Sequence, residues 1–449
     1  MNKKLWASLA ISTCVLFTAN STSPVESRTL TRIKTVAPQN NIDHYFMSNG
    51  IEVILKKITS NNTIAMKLFV KGGSRNLTEK NAGIEKVLLN SMLEGSKQFP
   101  KDKLTLEMAK IGAEYGTDST FDFSSLYLKS LDLYFDKALN IFQSVINNPL
   151  LSPKEIELDK SQILAGIKNQ IDDPDDYVWK VLNSTFSAGH PYINDFEGTL
   201  ETIPAIDRKQ LVEYKNNNLV GSKMLIVVAG NYKNTIKKDL EKYFGKIAKG
   251  NYQDTPVPLV MSDKSSVIIE NRDIPTAYVA ARFPVPTIKD ADYPATNLAL
   301  KILSQKLFES VRTKSGLSYA VSSGASLRAA NSGYLYVTTI KPKESVALMY
   351  KEIENMKKMP VDKKFLEGAI NLYYTQYYIG LESNLEQATS LGLNQIISGD
   401  YNNSSKLIER FKKVTPSDIQ KATEKYIKNI KFAIIYKKDL LNESDYTKL

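Results

Sequence analysis

The sequence predicts an α+β protein made of two tandem homologous α/β sandwich domains, each with a mainly antiparallel sheet packed by helices. Three observations predict it. Segments with the period-two alternation of half-buried strands take turns with segments of helical period. The same order of elements runs through the chain twice. Chemically similar residues recur at one nearly constant offset. The 449 residues are enough for two or three domains, and 42% hydrophobic with 24% charged residues is the balance of a globular chain.

In the first half, Ile51–Lys57 and Ile64–Lys71 alternate apolar and polar residues and are predicted as strands. A helix is predicted from Glu79 to Leu93, with Ile84, Val87, Leu88, Ser91 and Met92 sharing one face. Strands near Ala113 and over Phe121–Leu128 follow, then a helix over Tyr134–Ile146. Ser152-Pro153-Lys154-Glu155 has the form of a capping box with proline at the first helical position. The helix it opens is expected to bury Ile156, Ile163, Leu164, Ile167 and Ile171. A strand at Met224–Ala229 and a helix at Thr235–Phe244 end the half.

The second half repeats this order. Ser266–Ile269 and Ala277–Pro284 are predicted strands, and Ala295–Arg312 a long amphipathic helix. Tyr319–Ser326 and Gly333–Ile340 are strands, Lys343–Lys357 and Asp362–Tyr377 helices, and Phe432–Tyr436 a closing strand. Lys223-Met224-Leu225-Ile226 matches Lys431-Phe432-Ala433-Ile434, 208 positions on. Leu211, in a helix after Asp207, matches Ile419 at the same offset, and Pro153 matches Pro360 at 207. Gly, Pro, Asp and Ser cluster over Gly250–Ser265, the expected linker between domains at 40–249 and 266–449.

The N-terminus has the features of an export address. Lys3 and Lys4 precede an apolar run, Leu5 to Phe17, and small residues follow at Thr18-Ala19-Asn20-Ser21. Residues 1–21 are therefore expected to be a signal peptide, and the protein periplasmic or secreted. The run is short for a membrane span. The membrane enters only through an uncleaved signal or a lipid on Cys14, and Ile11-Ser12-Thr13 is a poor context for lipidation. Cys14 is the single cysteine, so the body has neither a disulfide nor a thiolate metal site. The formal charge is +11, yet the lysines are scattered in pairs such as Lys237-Lys238 and Lys357-Lys358. That distribution describes a solvated surface and gives no reason to expect a nucleic-acid partner.

Four short segments carry a resemblance: Val70-Lys71-Gly72-Gly73-Ser74-Arg75, the helix Gly83 to Ser96, Gly189-His190-Pro191-Tyr192 with Gly198-Thr199, and Arg312-Thr313-Lys314-Ser315-Gly316-Leu317-Ser318-Tyr319. In this order and spacing they resemble peptidase family M16, the pitrilysin or mitochondrial-processing-peptidase-like metallopeptidases of inverted zinc motif, over nearly all of the chain past the leader. The resemblance implies the LuxS/MPP-like metallohydrolase fold. Active members carry His-x-x-Glu-His on the first helix. Histidines four apart share one helix face and grip one zinc ion, and the glutamate acts on the bound water.

By the same resemblance the two histidine positions are Lys86 and Asn90, the base position is Leu89, and the distant glutamate position is Gly166. The sequence has two histidines, His44 and His190. His190 belongs to the Gly-His-Pro-Tyr turn, where a structural role is expected, and His44 is expected on the surface ahead of the first strand. An ammonium repels a cation and a leucine cannot move a proton, so no metal and no other cofactor is expected on this chain. The second-half signature keeps Arg312 and Tyr319. The resemblance implies that the arginine holds peptide backbone and the tyrosine hydroxyl steadies an oxyanion.

In two-domain members the zinc half-site and the Arg/Tyr half-site come from different subunits. The expectation is a zinc protease-like protein, inactive alone, that supplies Arg312 and Tyr319 in trans to a zinc-bearing partner in a heterodimer acting on peptides. The alternative is a purely structural or peptide-binding homologue. Gly116-Thr117-Asp118-Ser119 departs from the family's substrate-facing strand, which puts peptide docking on the first domain in doubt. No Gly-x-Ser-x-Gly elbow is present, and two histidines leave little scope for a catalytic triad.

Overall fold

A computed structural model describes residues 41–448. The expected signal peptide lies outside the described residues. The first half runs β1 (Ile42–Phe46), β2 (Glu52–Lys57), β3 (Thr63–Lys71), α1 (Ile84–Leu93), α2 (Lys101–Lys110), β4 (Glu114–Ser119), β5 (Phe123–Leu131), α3 (Phe135–Asn147), α4 (Pro153–Asp172), α5 (Pro174–Phe186), α6 (Thr202–Ala205), α7 (Arg208–Asn218), β6 (Met224–Gly230) and α8 (Ile236–Phe244). The second runs β7 (Ser266–Asn271), β8 (Ala277–Pro284), α9 (Tyr293–Leu307), β9 (Ala320–Ala325), β10 (Ser332–Thr339), α10 (Pro342–Lys358), α11 (Lys363–Ile379), α12 (Asn384–Ser398), α13 (Asn403–Lys412), α14 (Pro416–Tyr426) and β11 (Lys431–Tyr436).

The strands form two sheets of matching order, β1-β2-β6-β3-β5-β4 and β7-β11-β8-β10-β9. Pairing is parallel between β2 and β6 and between β7 and β11, and antiparallel elsewhere. The repeat reaches single bonds. Asp207 with Gln210 opens α7 by a capping box, and Thr415 with Asp418 opens α14 by the same device. Gly116 of β4 lies under the ring of Tyr127, as Gly324 of β9 lies under that of Tyr334. A bare glycine on an edge strand lets the cross-strand ring lie flat over it.

Each sheet buries one face against the helices of its own half. Val53, Leu55, Met66, Leu68, Ile226 and Val228 meet Val87, Leu88 and Phe142. Val279, Ala281, Leu335 and Ile434 meet Leu300, Leu303 and Ile353. The opposite faces are covered reciprocally. On the first sheet Ile54, Phe69, Leu225 and Val227 pack on Ala388 and Leu391 of α12, a second-half helix. On the second, Ala280, Ala433 and Ile435 pack on Val178, Leu182 and Phe186 of α5, a first-half helix. Neither α5 nor α12 is among the helices expected above, and the edge strand β1 is likewise an addition.

Two expectations need correction. His44 does not precede the first strand but stands on β1, opposite Ile54, with Nε2 2.9 Å from Glu52 Oε1. Ser152 does occupy the N-cap of α4, but its side chain makes no cap bond, and the Glu155 carboxylate that would complete the box is held by Lys101 instead.

Candidate functional site

Helix α1 begins at Gly83, whose left-handed backbone brings it against Gly198; a Cβ on Gly83 would stand 2.7 Å from the Gly198 Cα. This close approach places the 194–198 loop over the helix. Glu197 on that loop accepts from Lys86 Nζ at 2.5 Å and from Gln170 Nε2 at 3.1 Å. Three residues on, Leu89 is fully buried in the first core. Asn90 Oδ1 accepts from Thr117 Oγ1 of β4 at 2.7 Å. Gly166, on α4, faces open space where a side chain would project.

The four positions that would carry a zinc site therefore hold a paired ammonium, a buried aliphatic group, an amide oxygen already engaged, and no side chain. Among the described residues no cluster of three His, Cys, Asp or Glu could hold a metal ion. The donor set does not fit zinc, which needs imidazole, thiolate or carboxylate ligands. A carboxyl that no pattern singled out does lie beside α1. Asp159 of α4 accepts from Ser91 Oγ at 2.7 Å, and burial, with that bond opposing it, pushes its pKa up to about 6.

His190 has a structural role. Its Nδ1 accepts from the Tyr192 backbone N–H at 3.1 Å and its Nε2 donates to Pro258 O at 2.8 Å. Both ring nitrogens are spent, in the neutral tautomer. The same turn joins the halves. Tyr192 Oη donates to Asp122 Oδ1 at 2.6 Å and accepts from Ala330 N at 3.0 Å, while Asp122 Oδ2 accepts from Ala329 N at 3.1 Å.

Arg312 and Tyr319 are brought together in the second half. Past Leu307 the helix widens into a π-helical segment, Phe308–Lys314, a geometry frequent at functional sites. Gly316, at φ 61°, then reverses the chain. Arg312 Nη1 donates to Tyr319 O at 3.2 Å, and its guanidinium lies 4.7 Å from the Phe308 ring centroid and 5.9 Å from that of Tyr319. The Tyr319 side chain is 89% exposed. Among the described residues neither side chain bonds to the first half. The pair is an outward-facing cation and phenol, able to donate to an oxyanion or a peptide carbonyl approaching from solvent.

The chain matches two family models, one described as insulinase (peptidase family M16) over residues 52–200 and one as peptidase M16 inactive domain over residues 205–373. It is 23% identical over 382 residues to the uncharacterized zinc protease YmxG of Bacillus subtilis, covering 83% of this chain and 92% of that one. It is 26% identical over 261 residues to the mitochondrial cytochrome b-c1 complex subunit 1 of Bos taurus, covering 57% of this chain and 54% of that one. Among solved structures, a peptidase M16 inactive domain from Pseudomonas fluorescens superposes with a TM-score of 0.80 at 19% identity, over 88% of this chain and 98% of that one.

Proposed function

From the premise that the chain belongs to peptidase family M16, we propose that it is the non-catalytic subunit of a heteromeric zinc peptidase and lends Arg312 and Tyr319 to a zinc-bearing partner. One observation carries this reading. The first half offers donors that do not suit zinc, while the second keeps a paired arginine and tyrosine turned outward. A half-site of that kind does its work only against a second surface. Zinc and the water-activating carboxylate belong to the partner, and this chain's first half serves as scaffold. The basic, apolar and small-residue order of residues 1–21 supports export, and with it action in the periplasm or outside the cell.

The test mixes this chain with an M16 homologue that carries the intact zinc motif and measures peptide cleavage by each protein and by the mixture. The mixture is expected to cleave and this chain alone to leave peptides intact. Tyr319→Phe or Arg312→Ala is expected to lower kcat of the mixture on the order of a hundredfold, with assembly by size exclusion unchanged. Full activity from both variants favours the second reading, a structural or peptide-binding homologue. The likeness to a subunit of the mitochondrial cytochrome b-c1 complex supports keeping that reading. Stoichiometric zinc with chelator-sensitive proteolysis from this chain alone sinks both.

A further inference from the structure

We propose that Arg282 and Arg328 form a receptor for the carboxylates of a peptide, seated where the second sheet meets the first half of the chain. Arg282 stands on β8 and points to the α5 side of the sheet, like Ala280 two residues earlier. Its cross-strand neighbours on that face are Tyr334 on β10 and Lys431 on β11. Two cations directly opposite each other in a ladder repel, and no acidic residue shares the row. Arg328 comes from the loop between β9 and β10 and lies 4.5 Å from the ring centroid of Phe121, in the first half. Arg282 lies 5.6 Å from the ring centroid of Trp179 on α5. Trp179 in turn packs edge-on against Tyr334 and flat against Tyr336.

Both guanidiniums are half-buried, yet their hydrogen bonds are few. Arg282 Nη1 donates to Asn183 Oδ1 at 3.3 Å, and Arg328 donates to no described residue. Neither forms an ion pair among the described residues. Asp122 faces Arg328 at longer range, but its oxygens already serve Tyr192, Ala329 and, at 3.7 Å, Arg75. Burial first, and Arg328 second, pulls the Arg282 pKa down to about 9, so the group is still charged at neutral pH. Two aromatic-backed guanidinium forks with unused N–H donors match the planar, two-oxygen geometry of a carboxylate. The rings of Trp179 and Tyr334 offer apolar walls for the residues flanking it. That the carboxylate arrives on a peptide rests on the M16 reading above; that the site takes a carboxylate does not.

Trp179 is the reporter. The sequence has two tryptophans, so Trp6→Phe in the full-length chain leaves Trp179 as the single tryptophan, excited at a wavelength that tyrosine does not absorb. Titration with acetyl-Gly-Glu-Gly-Glu-Gly-Glu-amide is expected to give a saturable change in its emission, weakened by added salt. Arg328→Gln and Arg282→Gln are each expected to weaken that binding at least tenfold. The glutamine analogue with a free C-terminus separates a chain-end carboxylate from side-chain ones, and the fully capped glutamine analogue should not bind. Arg328 lies on a loop, so its replacement leaves the ladder intact if the Arg282 variant fails to fold. Unaltered affinity in Arg328→Gln, binding of the capped glutamine peptide, or no saturable response overturns the proposal. Because the readout needs no partner, its failure is distinct from a failure of Arg312→Ala to reduce activity in the mixture.

Discussion

Lys86 and Asp159 show how single side chains on neighbouring helices replace one chemistry with another. The Lys86 ammonium is held by Glu197 at 2.5 Å with both side chains mostly shielded, at 24% and 20% exposure. It puts a fixed positive charge where a metal would need an electron pair. Asp159 sits 6% exposed. Its carboxyl is pushed up to about 6 from an ordinary 3.8, chiefly by burial. The sign follows from proton linkage. The folded chain holds this proton more tightly than the unfolded one, so Asp159 costs no stability below about pH 4. The cost grows as the pH rises and is complete above about pH 6, at about 2–3 kcal/mol. Asp159→Asn, which keeps an acceptor for Ser91, should therefore gain on the wild type between pH 4 and pH 7 by about that amount. Urea unfolding at the two pH values checks it, and a gap that fails to widen contradicts it.

At the scale of elements, the exchanged helices α5 and α12 are where local signals and tertiary role part. Their starts are marked in the sequence. Asp173 caps α5 ahead of Pro174, and Ser383 with Glu386 forms a capping box on α12. Which sheet their buried faces cover is not marked. The face of α12 that meets the first sheet is small, with Ala388 and Gly392 against Phe69, and so gives a weak apolar period. A Cβ on Gly392 would come within 2.2 Å of the fully buried Phe69 ring. Gly392→Ala is therefore expected to destabilise by about 1–3 kcal/mol, although alanine is the better helix former. Equilibrium unfolding is the measurement, and a more stable variant contradicts the packing described.

On the scale of the whole molecule, each sheet owes one covered face to the opposite half. Residues 41–249 made alone would leave Ile54, Phe69, Leu225 and Val227 open to water, each at a cost of ~1.5–3 kcal/mol. A domain stable by only ~5–15 kcal/mol does not survive that loss. The fragment is expected to bind a hydrophobic dye and to melt without a cooperative transition. A monomeric fragment with a sharp transition contradicts a reciprocal dependence of the halves. The latch of Tyr192, Asp122 and the backbone of residues 329–330 adds to the same dependence.

Local patterns and motif spacing were legible without coordinates. Period-two and helical rhythms located most strands and the long helices, because a side chain's face follows from its position along one element. The 208-residue offset announced the duplication, and the capping boxes of α7 and α14 repeat it. With the positions supplied by the family resemblance, the residue types at Lys86, Leu89, Asn90 and Gly166 were enough to question a zinc site, since ligation depends on which donors a side chain carries. Arg312 and Tyr319 were legible as a pair only through the resemblance of residues 312–319 to the family's second-half signature. What only the tertiary structure decided are contacts between residues far apart in sequence. These include Glu197 beside Lys86, the helices that cross to the opposite sheet, the Pro258 carbonyl that settles His190, and the seating of Arg282 on Trp179 and of Arg328 on Phe121. No period or spacing records such pairs, because loop closure alone brings them together, and its outcome depends on how every other face is covered.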